Sequence, residues 1–237
     1  MRIVAIDSSG LVASVAILEN DSILATYSVN YKKTHSQTLL PMLQEIMQMT
    51  EFDKSTIDAI AVAKGPGSFT GLRIGSATAK GLGLALGKPI IEVPTVDALA
   101  YQLYGMPLIC PMMDARRQQV YTGLYGFSSI EQGMEFQVIE PQCAIGVEEI
   151  IEKINKRGQQ VVYLGDGVAA YEALIKEQTK VPYVFAPANC NRQSAAAIAV
   201  LAKSYYERGE YVTAAEHRPD YLRLSQAERE RMEKMQK

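Results

Sequence analysis

The residues of this chain whose types and spacing could do chemistry are a glycine-rich loop, one carboxylate and two histidines. The loop is Lys64-Gly65-Pro66-Gly67-Ser68-Phe69-Thr70-Gly71-Leu72-Arg73-Ile74-Gly75. It follows the short apolar run from Ile57 to Ala63, which reads as a strand buried on both faces. Gly65 and Gly67 allow backbone angles closed to other residues, Pro66 stiffens the turn, and Ser68 or Thr70 can cap the helix that follows. Backbone N–H groups at such a helix start can cradle a phosphate or carboxylate. The same residues equally make a strand-to-helix turn with no ligand, and no Walker A spacing follows them. Asp7 ends the first strand in Ile6-Asp7-Ser8-Ser9-Gly10, where a carboxylate can hold a metal-bound water or a loop amide. Asp7, Gly65, Gly67 and Ser68 are therefore a candidate nucleotide site, and one open reading of the chain is an ATP-binding or ATP-hydrolysing enzyme using Asp7 and Gly65 to Thr70. Spacing alone does not pair Asp7 with Asp97 or Asp114. His35 and His217 are the two histidines, too few for a histidine-rich metal site within one chain. His35 opens a helix as His35-Ser36-Gln37-Thr38, where a polar cap is its simplest role.

The helix launched by the loop has small residues every four positions, at Gly71, Gly75, Ala79, Gly83 and Gly87. An interior glycine costs a helix about 0.8–1 kcal/mol relative to alanine, so Gly75, Gly81 and Gly83 need a compensating close approach. The helix before it places Leu39, Leu40, Met42, Leu43, Ile46, Met47 and Met49 over about half its circumference, wider than the ~100° that one core contact needs. That surplus points to a partner. Pro41 near its start is tolerated.

Stepping outward, three meandering strands (Ile3 to Ser8, Val12 to Glu19, Ile23 to Val29) lead into alternating helices and strands. This order predicts an α/β fold with a mixed sheet covered by helices. After Met106-Pro107 come strands from Leu108, Val120, Phe136 and Val161, helices from Val147 and Val168, and an alanine-rich helix capped by Asn191 or Ser194. The last charged stretch, Glu228 to Lys234, reads as a solvated helix end. With 237 residues, 48% hydrophobic and 21% charged, the chain has ordinary globular composition. Its 24 basic and 26 acidic side chains leave a net charge of −2, so strong stand-alone nucleic-acid binding is not expected. No signal peptide or long apolar span is visible, which predicts a cytoplasmic protein without membrane contact. Cys110, Cys143 and Cys190 lack metal-site spacing and read as reduced thiols in the core.

Taken together, Ile6-Asp7-Ser8-Ser9 with Ser14-Val15-Ala16, His35-Ser36-Gln37 to Leu40-Pro41, the Gly65 to Gly75 loop, Pro94-Thr95-Val96-Asp97-Ala98-Leu99, Met113-Asp114-Ala115-Arg116-Arg117-Gln118 and Tyr221-Leu222-Arg223 resemble the TsaB family. The resemblance covers essentially the whole chain. It implies an actin-like ATPase architecture of two ribonuclease H-like lobes: residues 1–104, a smaller lobe at 105–212, and a tail from about 213 returning to the first lobe. TsaB proteins act with TsaD, TsaE and TsaC in adding threonylcarbamoyl to an adenosine of tRNA. The catalytic relative TsaD carries two metal-binding histidines after the equivalent strand. Here Thr95 and Leu99 stand in those places, and a leucine cannot coordinate a metal. The resemblance thus implies a non-catalytic subunit with no cofactor of its own, ATP being used by the complex. It implies a heterodimer with TsaD, contact with TsaE, tRNA reached through the complex, and a homodimer when alone. Family history also carries an endopeptidase label, for which no Ser-His-Asp or Cys-His arrangement is recognisable here. Gly165-Asp166-Gly167 weakly resembles an adenosine-binding turn. The helices of the first lobe are the implied interface: Leu39, Met42, Leu43, Ile46 and Met47, with Gly71, Leu72, Gly75, Ala79, Leu82 and Gly83. Gly75→Arg or Leu43→Glu should then block pairing and leave the fold intact.

Overall fold

The computed structural model describes residues 1–31 and 34–223. The charged stretch Glu228 to Lys234 lies outside the described residues. The opening strand β1 (Arg2–Asp7) pairs antiparallel with β2 (Ala13–Glu19), which pairs with the edge strand β3 (Ser22–Val29). On its other side β1 runs parallel to β4 (Ala59–Gly65), and β4 to β5 (Ile90–Pro94). The resulting order is β3-β2-β1-β4-β5.

Alternation along β1 sorts side chains between two cores, as a strand covered on both faces requires. Val4 and Ile6 face α1 (His35–Met49) and α2 (Phe69–Leu86). Ile3 and Ala5 face α6 (Ala195–Glu207) and α3 (Thr95–Tyr101). The helix α6, assigned by sequence to the second lobe, therefore packs on the first sheet. The chain returns there by Ala195 rather than near residue 213, and Ala195 N donates to Ser14 Oγ at 2.9 Å. Pro41 also sits deeper in α1 than its expected place, beyond the first turn, leaving the Gln37 carbonyl without a helical donor.

A second sheet repeats the first. The strand β6 (Ile109–Asp114) pairs antiparallel with β7 (Gln119–Ile130), which pairs with β8 (Gly133–Gly146). After α4 (Val147–Arg157), β9 (Val161–Leu164) lies parallel to β6 on its other side. Following α5 (Asp166–Gln178), β10 (Tyr183–Phe185) closes the order β10-β9-β6-β7-β8. Each sheet is thus a three-stranded meander with two parallel strands added beside its first strand. The α/β class and the mixed sheets are as expected, and the strand order is the same in both sheets, as two ribonuclease H-like halves require. β7 and β8 are longer than the sequence reading placed them, and β10 is an addition to it.

Candidate functional site

The ends of the parallel strands meet at a cleft of about 700 Å³ between the two sheets. Open α/β sheets place ligands there, outside the carboxyl ends of their strands. Ser9 and Gly10 line it from the end of β1, Pro66 to Thr70 from the turn into α2, Met113 to Arg116 from the end of β6, and Asp166 from the start of α5. The cleft therefore assembles the glycine loop, the Met113 segment and Tyr221 to Arg223 from distant parts of the chain.

Its chemistry differs from that of a phosphate cradle. Side chains at Gly67 and Gly71 would strike the carbonyls of Ser9 and Ser8, and one at Gly65 the carbonyl of Asp220. These glycines let the chain approach itself. Ser68 N donates to Ser9 O at 2.7 Å, while Gly71 N donates to Ser68 Oγ at 3.3 Å, the expected cap. Two donors that a phosphate would use are therefore spent. Asp7 is 1% exposed and is satisfied by Ser9 N and Ser9 Oγ, at 2.9 and 2.6 Å. Burial pushes its carboxyl up to about 6 despite those bonds. Asp114, Asp166 and Asp220 stand on the cleft wall beside Arg116 and Arg223, so the wall offers no one-sided positive field for a phosphate. The arrangement does not favour the nucleotide alternative. Gly165 and Gly167 likewise serve a close approach, to the Met112 carbonyl.

The two positions compared with metal ligands are internal. Thr95 is 1% exposed and its Oγ1 accepts from Gly65 N at 3.2 Å; Leu99 lies in the core between the sheets. Among the described residues no three His, Cys, Asp or Glu side chains converge as a metal site. His35 holds the end of the β1 turn, its Nε2 2.9 Å from Gly10 O. All three cysteines are free.

The expected interface needs correction. Leu39, Met42, Leu43 and Ile46 are buried against the first sheet with Ala79, and Leu72 is buried beside Gly65. Gly71 and Gly75 face Ser8, while Gly83 faces Lys88, Ile90 and Ala214. The sheet and the β1 turn already occupy that surface, so Gly75→Arg and Leu43→Glu would disrupt the fold itself. Met47 and Leu82 are half-buried at its margin. The open surface is the outer side of the same helix pair. Leu40, Pro41, Gln44 and Met49 are exposed on α1, with Ala77, Gly81, Leu84 and Ala85 on α2. A side chain at Gly81 would meet nothing within 4 Å.

One constellation escaped sequence reasoning. His217 Nδ1 lies 2.7 Å from Glu92 Oε1 and its Nε2 lies 2.5 Å from Ser76 Oγ. The connectivity is that of a nucleophile, base and orienting carboxylate. Ser76, however, is buried in mid-helix, where its neighbours' N–H groups are committed to the helix rather than to an oxyanion. Separated by 141 residues, Ser76 and His217 gave no spacing signal.

Comparisons with known proteins agree with this fold. A family model described as TsaD, tRNA N6-adenosine threonylcarbamoyltransferase, matches residues 22–231. The chain is 33% identical over 231 residues to the tRNA threonylcarbamoyladenosine biosynthesis protein TsaB of Bacillus subtilis, covering 96% of both. It is 32% identical to the protein of the same name from Escherichia coli over 180 residues, 75% of this chain and 76% of that one. The structure of YeaZ from Pseudomonas aeruginosa superposes with a TM-score of 0.78 at 28% identity, covering 93% of this chain and 99% of that one.

Proposed function

Because the chain belongs to the TsaB family of tRNA threonylcarbamoyladenosine biosynthesis proteins, we propose that it is a non-catalytic subunit that docks on a TsaD-type partner and supports its modification of tRNA. The observation that carries this reading is the outer face of α1 and α2. Ala77, Gly81 and Ala85 form an open stripe of small residues, flanked by Leu84 at 69% exposure and Leu40 at 54%. Small residues let a second pair of helices approach closely, while exposed leucines supply apolar area to bury. Gly81 weakens α2 and answers no contact within this chain. A second copy of the chain can use the same face when the partner is absent. The internal roles of Thr95 and Leu99 support assigning transfer chemistry, and the use of ATP, to the complex rather than to this subunit. TsaE and tRNA then meet the assembled complex. The absence, among the described residues, of any helix long and apolar enough to cross a membrane is compatible with a cytoplasmic site of action.

Light scattering of the protein alone and with a purified TsaD-type protein, run beside a tRNA-threonylcarbamoylation assay, tests this. A mixed complex should form, and only the mixture should modify tRNA. Gly81→Arg and Leu84→Glu should keep the circular dichroism of the parent and lose the complex. Normal binding by both variants would remove the docking face, and tRNA modification by the lone chain would remove the non-catalytic reading.

A further inference from the structure

The segment from Val212 to Arg223 lies along one flank of α2 as a strap. Val212 exchanges backbone hydrogen bonds with Ile90 at 2.8 and 2.9 Å, extending the edge of β5. Ala214 packs opposite Gly83, where an added Cβ would come within 3.2 Å of its methyl. Lys80 Nζ donates to the main-chain oxygen of His217 at 3.1 Å. The ring of Tyr221 packs tilted against Phe69 with centroids 4.7 Å apart, and its hydroxyl accepts from Arg73 Nε at 3.4 Å. The strap therefore meets α2 at Phe69, Arg73, Ser76, Lys80 and Gly83. These residues are three or four apart, so they form one continuous stripe along the helix. The sheet covers a second side of α2, and Ala77, Gly81 and Ala85 remain open on another.

His217 is the one histidine of the strap and is 1% exposed. Its two ring nitrogens tie three elements together: the strap itself, β5 through Glu92 and α2 through Ser76. Glu92 is further engaged by Arg218 N at 3.2 Å and Lys64 Nζ at 3.6 Å. Half-burial would raise the Glu92 carboxyl, but the bonds from His217 and Arg218 and the nearby Lys64 charge hold it below the usual range. A helix weakened by interior glycines depends on outside contacts for its rigidity. This ring supplies a buried polar one at mid-helix, the Ser8 Oγ bond to the Gly71 carbonyl at 2.8 Å supplying another at the first turn.

We propose that His217 is a positioning residue, latching the strap onto α2 and so holding the open face of that helix in the geometry a docking partner requires. The docking half of this statement rests on the function proposed above, whereas the latch itself does not. Hydrogen exchange of the full chain, with affinity for a TsaD-type protein measured on the same samples, separates the two. In His217→Ala, amides of residues 69–83 should exchange at least about tenfold faster, while those of β1 and β4 keep their protection, because local opening is set by local contacts. Partner affinity should fall by a similar factor. His217→Gln, whose amide can donate to Glu92 and accept from Ser76, should restore part of both. If His217→Ala does not fold, Ser76→Ala removes only one of the two ring bonds and should show the same pattern at smaller amplitude. Unchanged exchange in α2, or a uniform rise over every element, would overturn the latch. Faster exchange in α2 with unchanged affinity would overturn its role in docking. If the parent chain binds no such partner, the proposed function fails by itself and the exchange pattern still decides the latch.

Discussion

At the residue scale the clearest electrostatic consequence belongs to Asp97. It lies in the first turn of α3, is 7% exposed, and accepts a 2.8 Å hydrogen bond from the buried Tyr125 hydroxyl. Burial pushes its carboxyl from 3.8 up to about 6, against the lowering effect of that bond. Burial and the Asp97 charge both push the Tyr125 phenol up, so it remains the donor. A folded-state value above the unfolded one means that the folded protein binds this proton more tightly. The stabilisation is complete below pH 3.8 and is lost as pH rises through about 6. At about 1.36 kcal/mol per unit the loss amounts to at most about 3 kcal/mol. Asp7, also raised to about 6, has the same sign. Asp97→Asn keeps an acceptor for Tyr125 and removes one of these two titrations. Urea titrations from pH 4 to 8 should show the variant losing less stability than the parent across that window, by about 1–3 kcal/mol. Parallel curves would contradict it. Asp97 was visible in the Pro94 to Leu99 motif, but its partner was not, because nothing local in a sequence marks a contact 28 residues away.

At the scale of the element, α2 separates glycines that close contacts within the fold require from Gly81, beside which the chain places nothing. Gly71→Ala would drive a methyl into the Ser8 carbonyl, which is backbone and cannot rotate away. Overpacking of this kind costs about 1–3 kcal/mol or more. Gly81→Ala meets open space and should raise the stability of the isolated chain by about 0.8–1 kcal/mol through helix propensity. Chemical denaturation of the two variants should therefore shift in opposite directions; a loss of stability in Gly81→Ala would mean that this turn of α2 is packed by something else. The existence of both helices, the Ser68 cap and the starts of α4 and β9 were legible, because 3.6-residue periodicity and capping chemistry are local. Which side of each helix met the sheet was not. Amphipathic width counts apolar residues without saying how many faces the chain will cover itself, so it does not separate inward residues from an outer face. The strap and β10 were illegible for a related reason: their order comes from partners remote in sequence.

For the whole molecule, the question is whether two lobes with the same topology behave as two units. Tyr101, Tyr125, Phe127 and Phe136 make a continuous aromatic cluster, with Phe136 5.3 Å from both Tyr101 and Phe127 and stacked on Tyr125 at 5.7 Å. Phe136 comes from β8 of the second sheet, yet it packs against the core beneath α6 as well as that beneath α3. Polar ties add to the junction: Gln142 Nε2 donates to Gly65 O at 3.2 Å, and Arg223 Nη1 to Ala115 O at 2.6 Å. An interface that shares one core unfolds with its domains rather than before them. Such fusion suits the docking role proposed above, since closure of the lobes around a ligand would need the cluster to slide. Scanning calorimetry of the parent should show a single transition. Phe136→Ala, half-buried at the junction, should cost about 2 kcal/mol, below the 3–5 kcal/mol of a fully buried phenylalanine. It should also separate the transition into two. Two transitions in the parent itself would show that the lobes are independent and would leave room for a hinge. A single, merely lowered transition in the variant would instead assign the coupling to α3 and the polar ties rather than to the aromatic cluster.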